Sequence, residues 1–262
     1  MRWISRVGSI SALAVTASLL LARVHPFGDA GLYAAKAPIP ASTSIPENVR
    51  TLLTAKCADC HSERPKAPIY GRFAPISWLL ERDILQARAA MNLSQWDTYS
   101  ADQQETYKAK IVQQTKSGEM PLLQYRIIHW KARITQADVQ ALTQWIHTVI
   151  GVADAAASVG GEGDPIHGKE IFEKRCTGCH ALTQNREGPQ LLGVYGRTAG
   201  AVAGFPYSAA LKKANIKWTD QTLEKWLTDP DVFLPGNNMD FLVARPKERK
   251  DLIAYFKKSA GA

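Results

Sequence analysis

The stretches "AKCADCHSERP", residues 55–65, and "KRCTGCHALTQ", residues 174–184, carry the same pattern, C-x-x-C-H. Together they contain all four cysteines of the chain, each pair followed directly by a histidine. The residues concerned are Cys57, Cys60 and His61 in the first copy, then Cys176, Cys179 and His180 in the second. The repetition indicates two sites of the same kind.

Several chemistries use a Cys-x-x-Cys pair, and only one of them uses the adjacent histidine as well. A redox dithiol is expected in a thioredoxin-like βαβ context, which this sequence lacks. A zinc site needs four N or S ligands, and the two pairs stand far apart in the chain. Covalent haem attachment uses both thiols as thioethers and the histidine as an iron ligand. We therefore predict two covalently bound haem c groups, with zinc and a redox dithiol as alternatives.

The second axial ligand of each iron is expected to be a methionine or a histidine. Met239 lies in the Pro/Gly/Asn-rich loop "FLPGNNMDF", 59 residues after His180, and Met120 in "SGEMPLL" lies 59 residues after His61. This equal offset favours Met120 and Met239 as iron ligands. His129 and an open coordination position remain alternatives at the first haem. Met91 is interpreted as a core residue.

The N-terminus predicts export. Arg2 and Arg6 precede an uncharged run at residues 7–22. A basic segment before an apolar run is typical of a signal peptide, and this run is shorter than the roughly 20 residues of a typical membrane span. Residues 1–25 are thus a signal peptide or a membrane anchor. The expected location is periplasmic, with inner-membrane anchoring through residues 7–22 as an alternative.

Composition predicts a globular, helical chain with two domains. The 262 residues are 45% hydrophobic with a formal charge of +8. The chain has no Lys/Arg-rich block, which argues against nucleic-acid binding. Helical spacing precedes each CxxCH copy and ends each half, whereas strand alternation is absent. We predict an all-α chain of two cytochrome-c-like haem domains. The expected segments are a tether at 26–45, a haem-binding domain at 46–150, a flexible linker at 151–163 and a second haem domain at 164–262.

The second domain resembles class I cytochrome c of the mitochondrial and photosynthetic-bacterial type. The matching stretches are "GKEIFEKRCTGCH", "GPQLLGVYGRTAGAVAGFPYSAALKKANIKW", "LEKWLTDP", "PGNNMDF" and "ERKDLIAYFKK". The resemblance implies that the Pro189 carbonyl accepts a hydrogen bond from His180 and that Asn237 bonds near Met239. It places Arg197, Tyr207 and Trp218 around the haem propionates and Trp226 where tyrosine is usual beside the methionine.

The resemblance also concerns the outer surface of this domain. Phe241 matches an aromatic residue at the exposed haem edge. The positions where the family often carries docking lysines are Lys212, Lys213, Lys217 and Asn238. Because Asn238 is uncharged, the docking charge is expected to be weaker than is usual in the family.

The first domain resembles a bacterial haem-binding domain found in exported proteins. The matching stretches are "CADCHSERPKAPIYGRFAPISWLLERDILQARAAMNLSQW", "SGEMP" and "HWKARITQADVQALTQW". This resemblance implies a haem, export and Met120 as a ligand, but no activity.

Taken together, these features predict a dihaem electron carrier rather than an enzyme, exchanging electrons with a reductase, an oxidase or another cytochrome. Two alternatives stay open. One is a peroxidase-like dihaem oxidoreductase with an open or displaceable ligand at the first haem, and the other is a haem-containing sensor or docking module.

Overall fold

The computed structural model describes residues 2–33, 38–148 and 162–260, with side chains from residue 11 onward. These residues form two compact units that divide between Thr98 and Tyr99. The regular elements within the described ranges are helices, and the β-contact found there is an isolated bridge between Thr198 and Lys217. The all-α prediction is confirmed.

The first unit is built from helices that lead into and away from the first CxxCH copy. In chain order they are α1 (Arg2–Leu21), α2 (Glu47–Lys56), α3 (Ala58–His61) and α4 (Ile76–Ala90), with 3₁₀ turns at Ile69–Arg72 and Leu93–Thr98. Val49, Leu52 and Leu53 form the buried face of α2, as their helical spacing predicts. In the part of the chain that the structure describes, we find no helix with the length and apolar character needed to cross a membrane.

Part of the expected tether packs against α4. Ala30 and Leu32 are buried beside Ile84, and Arg88 of α4 donates a hydrogen bond to the Ala30 carbonyl at 2.8 Å. This differs from an extended segment free of the domain. The sequence did not reveal the packing, because small residues such as Ala30 are common in both flexible segments and tight cores.

The second unit contains the second CxxCH copy and the helices that surround it. In chain order they are α5 (Ala101–Lys116), α6 (Leu123–Ile128), α7 (Gln136–His147), α8 (Pro165–Ile171), α9 (Ala209–Lys213), α10 (Asp220–Thr228), α11 (Pro230–Phe233) and α12 (Pro246–Ala260). A π-helical turn at Phe172–Cys176 continues α8. Asp164 caps α8 and Thr219 caps α10 through their side chains, and both are residue types that favour the N-cap position.

The packing of α8 on α12 fixes the position of the second CxxCH copy. A Cβ at Gly168 would lie 2.0 Å from the Asp251 carbonyl oxygen, so only glycine permits this approach. Phe172 packs against Tyr255 with ring centroids 5.6 Å apart and meets Phe256 edge-on at 6.2 Å. These contacts hold the turn that ends at Cys176.

The boundary between the compact units differs from the expected linker. Residues 149–161, which include most of that linker, lie outside the described residues. Helices α5–α7, which the sequence assigned to the first haem domain, belong to the second unit. The physical reason lies in α5, because Glu105 on this helix pairs with the buried guanidinium of Arg175.

Candidate haem sites

The four cysteines lie in two pairs, one in each CxxCH copy. None forms a disulfide. Burial raises the pKa of Cys60 to about 11 and the pKa values of Cys176 and Cys179 to about 12. A redox dithiol or a zinc thiolate needs the opposite shift. Among the described residues, the cluster of potential metal ligands is His25, Asp29 and Glu81, which contains no cysteine.

His61 stands at the end of α3, directly after the first cysteine pair. Its Nδ1 lies 3.1 Å from the Met91 carbonyl oxygen. Because a carbonyl can only accept, Nδ1 must carry the hydrogen, which leaves the Nε2 lone pair for a metal. Burial lowers the pKa of His61, so the imidazole is held neutral. The geometry suits an iron ligand whose second nitrogen is anchored to the main chain.

His180 has the same arrangement in the second unit. Its Nδ1 donates to the Pro189 carbonyl at 2.8 Å, the bond that the resemblance implied. Burial lowers the pKa of this imidazole too. Gly188 leaves room for the ring, since a Cβ there would lie 2.3 Å from His180 Cε1. Both CxxCH histidines therefore present Nε2 and fix the opposite nitrogen.

Met239 is held by two hydrogen bonds. Its Sδ accepts from Trp226 Nε1 at 3.1 Å, and its backbone N–H donates to Asn237 Oδ1 at 2.6 Å. Asn237 is buried, and its Nδ2 donates to Asp231 Oδ1 and to the Leu234 carbonyl, both at 3.1 Å. Asn237 thus fixes the conformation of the loop that carries Met239, and Trp226 fixes the position of the Met239 sulfur.

The remaining predicted pocket residues surround the same core. The Trp218 ring lies 5.3 Å from the Trp226 ring. Arg197 donates to the carbonyls of Leu192 and Gln190 at 3.0 and 2.8 Å. Burial lowers the pKa of Arg197 and raises that of Tyr207. Trp218 and Trp226 are buried in the core cluster of this unit, and Tyr207 packs against that cluster.

The proposed sixth ligand of the first haem belongs to the second unit. Met120 lines a cavity of about 320 Å³ with apolar neighbours that include Leu123 and Ile127. His129 stacks on Tyr125 with ring centroids 4.1 Å apart, and its Nδ1 lies 3.3 Å from the Tyr125 carbonyl oxygen. The pairing of either residue with His61 stays a prediction.

Two functional features were missed by sequence reasoning. Met91 was interpreted as a core residue, and its side chain is buried, but its carbonyl anchors His61. Any residue type has such a carbonyl, so no side-chain signal marks it. Arg175, which precedes the second CxxCH copy, is buried among acids and lies over the Phe241 ring at 5.2 Å. Its position beside Cys176 was the available signal.

Comparisons with known proteins divide the chain between residues 148 and 166, so that α5–α7 fall in the same family match as the first CxxCH copy. Residues 17–148 match the family model described as a haem-binding domain, and residues 166–260 match the model described as cytochrome c. Cytochrome c of Chlamydomonas reinhardtii is 42% identical over 101 residues, which cover 37% of this chain and 90% of that protein. Cytochrome c of Euglena viridis is 46% identical over 98 residues, 36% of this chain and 96% of that protein.

A solved structure is also similar in sequence to part of this chain. Cytochrome cH from Methylobacterium extorquens shares 40% identity across 37% of this chain and 99% of that chain, with a TM-score of 0.35.

Proposed function

The chain belongs to the cytochrome c family through residues 166–260 and to the haem-binding domain family through residues 17–148, and from this premise we propose that it carries electrons between redox proteins on two covalently bound haems. Membership of the cytochrome c family makes it a haem electron carrier rather than an enzyme. The number of haems, their ligands, the location and the partners are parts of the proposal.

The matching geometry of the two histidines carries the proposal of two haems. His61 and His180 each follow a Cys-x-x-Cys pair and each donate Nδ1–H to a main-chain carbonyl. A haem iron alternates between Fe(II) and Fe(III) in one-electron steps when it is bound at such a site. Cys57, Cys60, Cys176 and Cys179 would hold the haems as thioethers, each of which would form when an S–H adds across a vinyl C=C of the haem.

The surrounding residues orient the ligands and exclude water. Trp226 directs a hydrogen bond at Met239 Sδ, which fixes the sulfur and withdraws electron density from it. Asn237 holds the loop, and the main-chain carbonyl of Pro189 holds the histidine. Because a fully ligated iron has no open position for substrate, this arrangement supports electron transfer without chemistry on a bound molecule.

At the first haem we propose Met120 as the sixth ligand. The equal offset of 59 residues from His61 to Met120 and from His180 to Met239 supports it. Met120 also lines a cavity of about 320 Å³, whose walls combine apolar residues such as Leu123 with Arg126 and Arg133. His129 remains the alternative ligand.

We further propose that the protein works in the periplasm or at the outer face of the inner membrane. The basic and then apolar N-terminus supports export, and covalent haem attachment of this type takes place outside the cytoplasm. Redox partners of this class form small and transient interfaces, so electron exchange should depend on ionic strength.

Expression together with a haem-maturation system tests the proposal. We expect two covalent haems per chain, and loss of the first haem's methionine–iron absorption in Met120→Ala but not in His129→Ala. A single haem per chain, or bound zinc, would overturn the dihaem proposal. An unchanged first-haem spectrum and potential in Met120→Ala would overturn the ligand assignment while leaving the haem count intact.

A further inference from the structure

One edge of the second haem site is covered by helices of the haem-binding domain family. We define this covered edge as residues 175–178, around the second CxxCH copy, and residues 240–242, directly after Met239. Helix α5 lies against both stretches. A Cβ at Gly178, between the two cysteines, would lie 3.1 Å from Thr106 Cγ2 and 3.6 Å from Lys110 Cε.

The contact with the first stretch centres on Arg175. This side chain is buried although it is charged. It forms an ion pair with Glu105 of α5 and another with Glu248 at 2.6 Å. Its guanidinium also lies 5.2 Å from the centre of the Phe241 ring. The cation beside Cys176 is therefore neutralised within the chain and shielded from an external acidic partner.

The contact with the second stretch centres on Lys116, the last residue of α5. Its Nζ lies 2.6 Å from Asp240 Oδ1 and 3.2 Å from Asp231 Oδ2. Lys110 adds an ion pair with Glu187 at 3.5 Å. Helix α5 thus places Glu105 opposite Arg175 and Lys116 opposite Asp240. This pairing of opposite charges is the complementarity expected of a docked partner.

The space between these surfaces is filled. Asp240 and Leu242 are buried, and Ala109 of α5 and Ile146 of α7 lie beside them around a gap of about 10 Å³. A gap of that size holds about one water molecule. His147 of α7 extends the contact to Asp229 at 3.6 Å. Another protein could reach this edge only after α5 and α7 had moved.

We propose that α5 and α7 are a resident docking partner that keeps the covered edge of the second haem site closed to external redox proteins. The proposal rests on the second haem of the proposed function. External partners then exchange electrons with this haem at other parts of its surface, or at the covered edge only when the helices are displaced.

Two variants displace the helices in different ways. Lys110→Glu/Lys116→Glu replaces attraction to Glu187, Asp231 and Asp240 by repulsion. Ala109→Glu introduces a carboxylate into the filled gap beside Asp240. The matched control is Lys225→Glu/Lys258→Glu, which makes the same charge change at two exposed lysines.

The test uses the full-length holoprotein, after haem count and spectra have been recorded for every variant. Stopped-flow oxidation of the reduced protein by an oxidised copper electron-transfer protein passes one electron from haem iron to Cu(II). Two kinetic phases are expected, one for each haem. The phase whose rate changes in Trp226→Phe, where the potential of the second haem is altered, is assigned to the second haem. Hydrogen exchange of the peptide spanning residues 231–245 reports whether the edge has opened.

We expect both displacing variants to lose amide protection in that peptide and to oxidise the second haem roughly tenfold faster, while the control matches the wild type. Lost protection with an unchanged rate would overturn the closure. Unchanged protection in both variants would overturn the packing itself. Neither result would alter the haem count, so failure here is distinguishable from failure of the dihaem proposal.

Discussion

Replacing Trp226 by phenylalanine tests whether the indole tunes the proposed second haem. The substitution removes the Nε1–H that donates to Met239 Sδ at 3.1 Å, while most of the ring remains in place. This donor draws electron density from the sulfur and so favours Fe(II). A hydrogen bond has a net value of about 0.5 to 1.5 kcal/mol. For a one-electron couple that corresponds to about 20 to 65 mV, so we expect the potential to fall by up to this amount.

Redox titration of the holoprotein, followed through the second haem's absorption, measures this change. The control is Phe233→Leu, because Phe233 meets the Trp226 ring edge-on at 6.4 Å and its loss disturbs packing without removing the donor. We expect that variant to keep a potential near the wild-type value. A potential that rises in Trp226→Phe, or that falls equally in both variants, would refute the role of the hydrogen bond.

Two further predictions concern the contact between α8 and α12. Gly168→Ala should lower the free energy of unfolding by about 1 to 3 kcal/mol through overpacking, although alanine is the better helix former by about 1 kcal/mol. Thermal unfolding measures this change, with Lys169→Ala as an exposed control on the same helix. An unchanged or higher melting temperature of Gly168→Ala would contradict the close approach. Burial opposes ionisation of Asp251, yet hydrogen bonds from His167 and Lys247 lower its pKa below the usual value. The ionised Asp251 therefore stabilises the fold above about pH 4, and this stabilisation is lost as the pH falls through the lowered pKa. Urea titrations of Asp251→Asn should show lower stability at pH 7 and a shallower loss in acid, and a slope equal to that of the wild type would exclude this role.

The sequence was most informative where chemistry and side-chain identity coincide. The CxxCH copies marked both candidate haem sites by spacing alone. The caps of α8 and α10 followed from Asp164 and Thr219, since capping depends on the side chain at a single position. The anchoring of His180 by Pro189 came from the family resemblance and agrees with the observed bond.

The sequence was least informative where main-chain atoms or distant charges decide the structure. The Met91 carbonyl holds His61, and no residue type identifies it in advance. The ion pairs of Lys116 with Asp231 and Asp240 join positions more than one hundred residues apart. From sequence alone, charged residues on a helix such as α5 are interpreted as facing solvent, because the surface that they pair with is not known. These ion pairs join α5 to the second compact unit, which begins at Tyr99, whereas the family matches divide the chain around the predicted linker at 151–163.

The anchoring of His61 and His180 by carbonyls has an evolutionary consequence. The residues that supply those carbonyls, Met91 at the end of α4 and Pro189 in a loop, can change identity without losing the bond, because every peptide unit offers the same oxygen. The two hydrogen bonds therefore place no demand on the side chains at these positions as long as the backbone path is kept, and the buried Met91 side chain is constrained by its packing instead. The constraint falls instead on residues that shape that path, such as Gly188, where a side chain would occupy the space of the imidazole of His180.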